Sequence, residues 1–337
     1  MPKALLIVAL ALLCGVARAK TTTRVRRAAR ATPAAAATPV QSAHRRSPYV
    51  GAVSADVRMG RVISSDNADA EAYPASVTKL MTLLLVLEDV RSGRYSLDAP
   101  VTATADVYRS EPSWVGLKAG DVMSVRDLCQ ALMVESANDA AIALAVHSAG
   151  SFEAFIAKMN ARAARLGMSR TRYYNPNGLP PNSGKRYPWK SFNVTTASDQ
   201  LRLALALVKI PEVIAFTSVK TCDLIRTEKG FRVFVTRRTN QQPAKTVLAP
   251  GEKLVKQMCN HNNVMVKDKL KVFNPDGSEA VDGLKTGYIN AGGSSVVLTG
   301  ACGAKRVIVV VLGSASSKER DEHAGRLMSD ALGAIAW

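Results

Sequence analysis

The sequence predicts a mixed α/β (α+β) fold in which an antiparallel sheet is flanked by helices, with an inserted helical lobe. Three observations carry this. Apolar and polar residues alternate through "PYVGAVSADVRMGRVISSDN" (48–67) around Gly60, the pattern of a strand hairpin. Two further strand runs, "SSVVLTGA" (294–301) and "RVIVVVLGS" (306–314), lie near the other end and are joined by a tight Cys302-Gly303-Ala304-Lys305 turn. Between them lie segments of helical length and period. Strands at both ends with helices between imply one sheet closed by the two ends of the chain, beside a helical lobe over about 95–210.

Taken in order, "MPKALLIVALALLCGVARA" (1–19) has Lys3, an apolar run from Ala4 to Val16 and a small-x-small ending. The run is too short for a permanent span, so it reads as a removed export signal. Acylation on Cys14 is the weaker alternative, because Leu13 is bulky. Residues 20–47 read as a disordered basic linker: seven Lys/Arg fall within 20–46, with no acid and little that could form a core. The chain carries a formal charge of +18, of which signal and linker hold nine, leaving +9 for the remainder, 48–337. A basic tail on a cytoplasmic protein suggests nucleic acid. On an exported one, no nucleic acid is expected, and the linker reads either as a solvated spacer or as attracted to anionic envelope polymers or lipid.

"SVTKLMTLLLVLED" (76–89) has helical length, with Ser76 at its start. "SVRDLCQALMVESANDAAIALAVHSAG" (124–150) is helical but broken near Ser136, and "SFEAFIAKMNARAARLG" (151–167) ends on Gly167 as a C-cap. Turn signals in "NPNGLPPNSGK" (175–185) precede a helix at 196–210. After Pro211, "TSVKTCDLIRT" and "FRVFVTRRT" read as strands, with a loop near 240–253, and an amphipathic helix closes the chain over roughly 317–335. No CxxC pair is present. Cys129 reads as a buried free thiol, and Cys222 with Cys259 is the expected bridge if a disulfide forms.

Counting narrows the chemistry. The four histidines are His44, His147, His261 and His323, with no HExxH, no Cys/His cluster, no GxSxG elbow and no GxxxxGK[ST] loop. No metal and no cofactor is therefore expected, and a hydrolase here would use a base other than histidine. Ser76 and Lys79 stand three apart, so on a helix the amine reaches the hydroxyl. A buried lysine with a second cation nearby loses its proton and can take that of a serine. Alone the pair is a weak signal. It is followed in order by "ESANDAA", with Ser136 and Asn138 at a helix break, and by "DGLKTGY", with Lys285, Thr286, Gly287 and Tyr288. Each has a bland reading as a cap or turn. Glu135 reads as a solvated helix residue, Asp139 as a local cap or salt-bridge partner, and Asn260, His261 and Asn262 as structural.

The ordered trio SxxK, SxN, KTG resembles the penicillin-binding protein and serine β-lactamase superfamily. "PASVTKLMT", "FIAKMNARAARLGMSRTRYYNPNGL", "NHNNVM" and "VDGLKTGYINAGGSSVVLTG" resemble more closely the low-molecular-weight D-alanyl-D-alanine carboxypeptidases. The likeness covers roughly 48–337, apart from a stretch at 226–258 that reads as an insertion. It implies a β-lactamase/transpeptidase-like fold, and stops before the C-terminal β domain and amphipathic anchor of many members. It further implies that Ser76 attacks the penultimate D-alanine carbonyl with Lys79 as base, while Ser136 relays a proton to the leaving amine. Asn138 would bind the substrate amide and steady Lys79. Lys285 and Thr286 would hold the terminal carboxylate, and Lys285 would keep Lys79 neutral. Gly287 would let the substrate approach the strand edge, and the amides of Ser76 and Tyr288 would form the oxyanion hole. The implied partners are peptidoglycan stem peptides ending in D-Ala-D-Ala and β-lactams that acylate Ser76. Deacylation is expected to be slow, because "NPNGL" stands where a β-lactamase has a glutamate on ExxLN. The alternatives are a DD-endopeptidase acting on cross-links and a catalytically weak penicillin-binding or sensing module.

Overall fold

The computed structural model describes residues 45–107, 112–181, 191–235, 238–239, 242–243 and 246–335. The expected signal (1–19) and nearly all of the expected linker (20–47) lie outside the described residues. The first strands are β1 (Gly51–Asp56) and β2 (Arg61–Asp66), followed by a 3-10 turn at Ala75–Thr78 that leads directly into α1 (Lys79–Arg91). The short strands β3 (Pro100–Thr102) and β4 (Val122–Ser124) precede α2 (Val125–Val134), α3 (Asn138–Ala149), α4 (Phe152–Arg165), α5 (Ala197–Leu207) and α6 (Pro211–Thr217). Next come β5 (Thr221–Arg226), β6 (Phe231–Phe234), β7 (Arg238–Thr239), β8 (Gln242–Pro243), β9 (Lys253–Cys259) and α7 (Asn263–Val266). The chain closes with β10 (Val281–Ile289), β11 (Gly293–Cys302), β12 (Lys305–Ser314) and α8 (Ser317–Ile335).

The principal sheet has the order β10-β11-β12-β1-β2. β1 and β12 pair antiparallel, Gly51 facing Leu312 and Asp56 facing Val307, so the two ends of the fold meet at the sheet's centre. The unbroken apolar run in β12 follows from this position, because a strand covered on both faces needs apolar residues at every step. Ile308, Val310 and Leu312 join the core beneath the helical lobe, while Val307, Val309 and Val311 face the other way. There they meet Ala324, Met328, Ala331, Leu332 and Ile335, the apolar stripe of α8.

α1 is buried on all sides from Leu80 to Leu87, so it forms the centre of the lobe rather than a surface helix. It runs parallel to α3, and the two are tied at both ends. At the N-terminal end Lys79 Nζ donates to Asn138 Oδ1 at 2.8 Å. Ten residues on, about 15 Å along each helix, Ser148 Oγ donates to Asp89 Oδ2 at 2.6 Å. Lys158 Nζ of α4 contacts both Asp89 carboxylate oxygens at 2.6 Å, and Tyr95 Oη adds a bond of 3.1 Å.

Two expectations are corrected. The stretch from Pro211 begins as α6, with proline at its first turn where its missing N–H costs nothing, and the strand starts only at Thr221. Cys222 and Cys259 are free, as are Cys129 and Cys302. Thr221 faces Cys259 and Cys222 faces Met258, so the two thiols fall on opposite faces of one sheet. The 226–258 stretch supplies β6 and β9, which flank β5 in a three-stranded sheet of order β6-β5-β9.

Burial disfavours the ionised form of Asp89, but hydrogen bonds from Lys158 and Ser148 and the charge of Lys158 outweigh it and hold the carboxyl below its ordinary value. The stability it contributes is therefore present above the unfolded pKa, about 3.9, and is lost as pH falls through the lower folded value. Asp89→Ala should cost roughly 2–3 kcal/mol at neutral pH, and thermal unfolding should show the gap from wild type closing on acidification below that range.

Candidate active site

The four-residue 3-10 turn puts Ser76 one turn ahead of Lys79, whose side chain is fully buried. Lys79 Nζ lies 2.9 Å from Ser76 Oγ, 2.8 Å from Asn138 Oδ1 and 2.7 Å from the Asn177 carbonyl oxygen. A neutral amine has two N–H donors and one lone pair. The two carbonyl-type oxygens can only accept, so they take both donors. In that neutral form the lone pair is left to accept from the Ser76 hydroxyl, whereas in the charged form the third N–H donates to Ser76 Oγ. Burial is the main cause of a Lys79 pKa well below the usual lysine range, the nearby charge of Lys285 adds to it, and Asp139 opposes it.

The NPNGL segment is what delivers the Asn177 carbonyl. Asn175 Oδ1 accepts from the Gly178 amide at 2.6 Å, Thr82 Oγ1 donates to the Pro176 carbonyl at 2.7 Å, and Asn193 Nδ2 bonds Thr78 Oγ1 at 2.9 Å. Gly178, at φ +85°, packs so closely that a Cβ would lie 1.8 Å from the Ala75 carbonyl oxygen. No role was legible for this carbonyl beforehand, because a backbone group leaves no residue-type signature.

Ser136 sits in the three-residue break between α2 and α3 with φ +60°, a conformation costly for a residue with a Cβ. Asp139 anchors the loop beside it. Its buried carboxylate accepts from the amides of Val115 (3.2 Å), Gly116 (2.9 Å) and Leu117 (3.0 Å), and the Asn138 amide donates to the Ser113 carbonyl at 2.8 Å. Asp139 is thus a loop anchor rather than a helix cap, since α3 has Ala137 at its N-cap and no side-chain cap bond. Glu135 is ion-paired with Lys256 rather than solvated.

β10 is an edge strand, and it carries Lys285, Thr286, Gly287 and Tyr288 past the Ser76 turn. Lys285 is 2% exposed, its ammonium donates to the Thr286 carbonyl at 3.0 Å, and burial with the Arg320 guanidinium pushes it down to about 7. Gly287 is also required by the protein's own packing. A Cβ there would stand 2.6 Å from the Pro74 carbonyl oxygen and 2.9 Å from the Ser76 amide nitrogen, so the missing side chain makes room for the protein's own nucleophile turn.

Ser76, Ser136, Asn138, Thr286, Gly287 and Tyr288 line one cleft of about 300 Å³. Lys79 and Lys285 lie buried behind it. Sequence reasoning missed Arg320, which also lines the cleft and pairs with Asp321 at 2.6 Å; on an amphipathic terminal helix it looks like any surface arginine. His261 lines the cleft as well. Its flanking asparagines are structural, Asn260 bonding the carbonyls of Thr217 and Val219. Lost hydration, then the charges of Lys285 and of other nearby cations including Lys256 and Arg320, push the imidazole down to about 4.

A family model described as D-alanyl-D-alanine carboxypeptidase matches residues 41–316. The chain belongs to this family. It is 31% identical over 281 residues to the D-alanyl-D-alanine carboxypeptidase DacC of Escherichia coli (strain K12), covering 81% of this chain and 58% of that one. Among solved structures, the D-alanyl-D-alanine carboxypeptidase DacD of Francisella tularensis aligns with TM-score 0.69 and 26% identity over 88% of this chain and 73% of that one. Penicillin-Binding Protein D2 of Listeria monocytogenes, in its cefotaxime-bound form, aligns with TM-score 0.63 and 28% identity over 85% and 97%. The chain spans only 58–60% of the length of several curated carboxypeptidases that it matches.

Within this family member, Gly287→Ala should displace the Ser76 turn, because neither the Pro74 carbonyl nor the Ser76 amide can yield as a side chain would. Chemical denaturation should register a loss of about 1–3 kcal/mol.

Proposed function

We propose that this protein is a serine D-alanyl-D-alanine carboxypeptidase that removes the terminal D-alanine from peptidoglycan pentapeptide side chains. The observation that carries the reading is the buried Lys79 amine, held by the Asn138 and Asn177 oxygens 2.9 Å from the Ser76 hydroxyl. Ser76 Oγ attacks the carbonyl carbon of the penultimate D-alanine as its proton passes to Lys79 Nζ. The C–N bond then breaks, Ser136 relays a proton to the departing amine, and an acyl-enzyme remains on Ser76. Water releases it. The amides of Ser76 and Tyr288 face the developing oxyanion, where losing one such donor costs roughly 3 kcal/mol. Thr286, Lys285 and Arg320 receive the free carboxylate, and that anion draws Lys285 back towards its charged form.

β-Lactams enter by the same route, and the likeness to a penicillin-binding protein in its cefotaxime-bound form supports this. No carboxylate is present among the described residues lining the cleft, which supports slow release of a penicilloyl group. Substrate chemistry and the signal-like residues 1–19 support action outside the cytoplasm, in the periplasm or envelope. The excess of basic residues in 20–47 supports attraction to anionic envelope polymers.

Incubated with pentapeptide muropeptides and followed by mass spectrometry, the wild type should release one alanine and Ser76→Ala none; cleavage of cross-linked dimers with pentapeptides untouched would favour the endopeptidase alternative. A penicilloyl adduct should persist on Ser76 for many turnovers of peptide, and rapid penicillin hydrolysis would contradict the reading. Single-turnover acylation by a fluorescent penicillin should be slowest at acid pH and rise as pH passes upward through the depressed Lys79 pKa, because only the unprotonated amine accepts the serine proton.

A further inference from the structure

The loop carrying Ser136 is held from outside the helical lobe. Lys256 of β9 donates to Glu135 Oε1 at 2.5 Å and to the Trp114 carbonyl at 3.2 Å. The strand's phase aims it there, because Lys256 and Met258 share a face and Met258 is fully buried in the main core. Its two acceptors flank the same feature from opposite sides. Glu135 immediately precedes Ser136, whose φ of +60° is strained. Trp114 belongs to the loop that the Asn138 amide and the Asp139 carboxylate fasten to the start of α3, and that brings Pro112 and Ser113 to the cleft.

We propose that Lys256 is a positioning residue for acylation, and that the three-stranded sheet built partly from 226–258 serves the active site by delivering it. One ammonium bridges the end of α2 and the 112–117 loop, closing a ring around Ser136. With the bridge in place, Glu135 cannot swing away and let residue 136 relax into an ordinary helical or extended conformation. Lys256 touches no reacting atom; it acts through Ser136. The pair is partly open, the side chains being 37% and 18% exposed, so the effect is moderate rather than absolute.

The inference rests on the proposed acylation of Ser76, and the test separates the two. Lys256→Met, Glu135→Gln, the double variant and Lys256→Arg are compared with wild type by stopped-flow acylation with a fluorescent penicillin and by thermal unfolding. The expected result is a saturating acylation rate lowered about fivefold in each single variant, with penicillin affinity before acylation unchanged. The double variant should be no slower than either single one, because both break the same bridge, and Lys256→Arg should restore most of the rate. Rates equal to wild type, or lost rate that only tracks lost melting temperature without rescue by arginine, would overturn the positioning role. A wild type that never labels at Ser76 would instead overturn the function on which it rests.

Discussion

One amine constrains the rest of this molecule. Lys79 is buried without a carboxylate bonded to it, an arrangement that would cost several kcal/mol for a charged group and far less for a neutral one. The fold bonds no counter-ion to it, and burial pushes its pKa well below the usual lysine range. Asn138 and Asn177 provide oxygens that accept without charge, Lys285 adds repulsion, and Asp139 spends its carboxylate on backbone amides. The same amine stands 2.9 Å from the Ser76 hydroxyl.

The architecture follows from holding that amine still. α1 and α3 run parallel and are bonded at both ends, so the start of each helix is fixed relative to the other by the Asp89 cluster at the far end. The edge strand β10 passes close enough to the Ser76 turn that only glycine fits at 287, which sets the spacing between Ser76 and the Lys285–Thr286 pair. The NPNGL turn fits against the other side of the same turn through Gly178. Three chain segments, more than two hundred residues apart from first to last, thus meet through backbone contacts rather than through long flexible side chains.

Legibility in the sequence follows the same physics. The strands near both ends were readable because alternation and apolar runs mark them, and the helix break at Ser136 because Ser-Ala-Asn interrupts an apolar period. The motif residues were readable because each is a distinctive side-chain type at a fixed spacing. What stayed hidden was carried by the backbone or by distance. The Asn177 carbonyl has no residue identity of its own, Arg320 sits on a helix whose pattern only says that one face is polar, and Lys256 gains its meaning from a strand that pairs with β5 after a long excursion. α6 was hidden because a seven-residue helix is too short to show its period, and the expected Cys222–Cys259 bridge failed on a one-residue register that composition cannot reveal.

The central claim, that Lys79 is neutral because it is buried beside a second amine, is tested most directly by titrating the 15Nζ resonance of Lys79, assigned by its absence from Lys79→Arg, in wild type and in Lys285→Ala. The account predicts a Lys79 pKa well below that of an ordinary lysine in the wild type and a rise when Lys285 is removed. An ordinary lysine pKa in the wild type, or a value indifferent to the loss of Lys285, would contradict it.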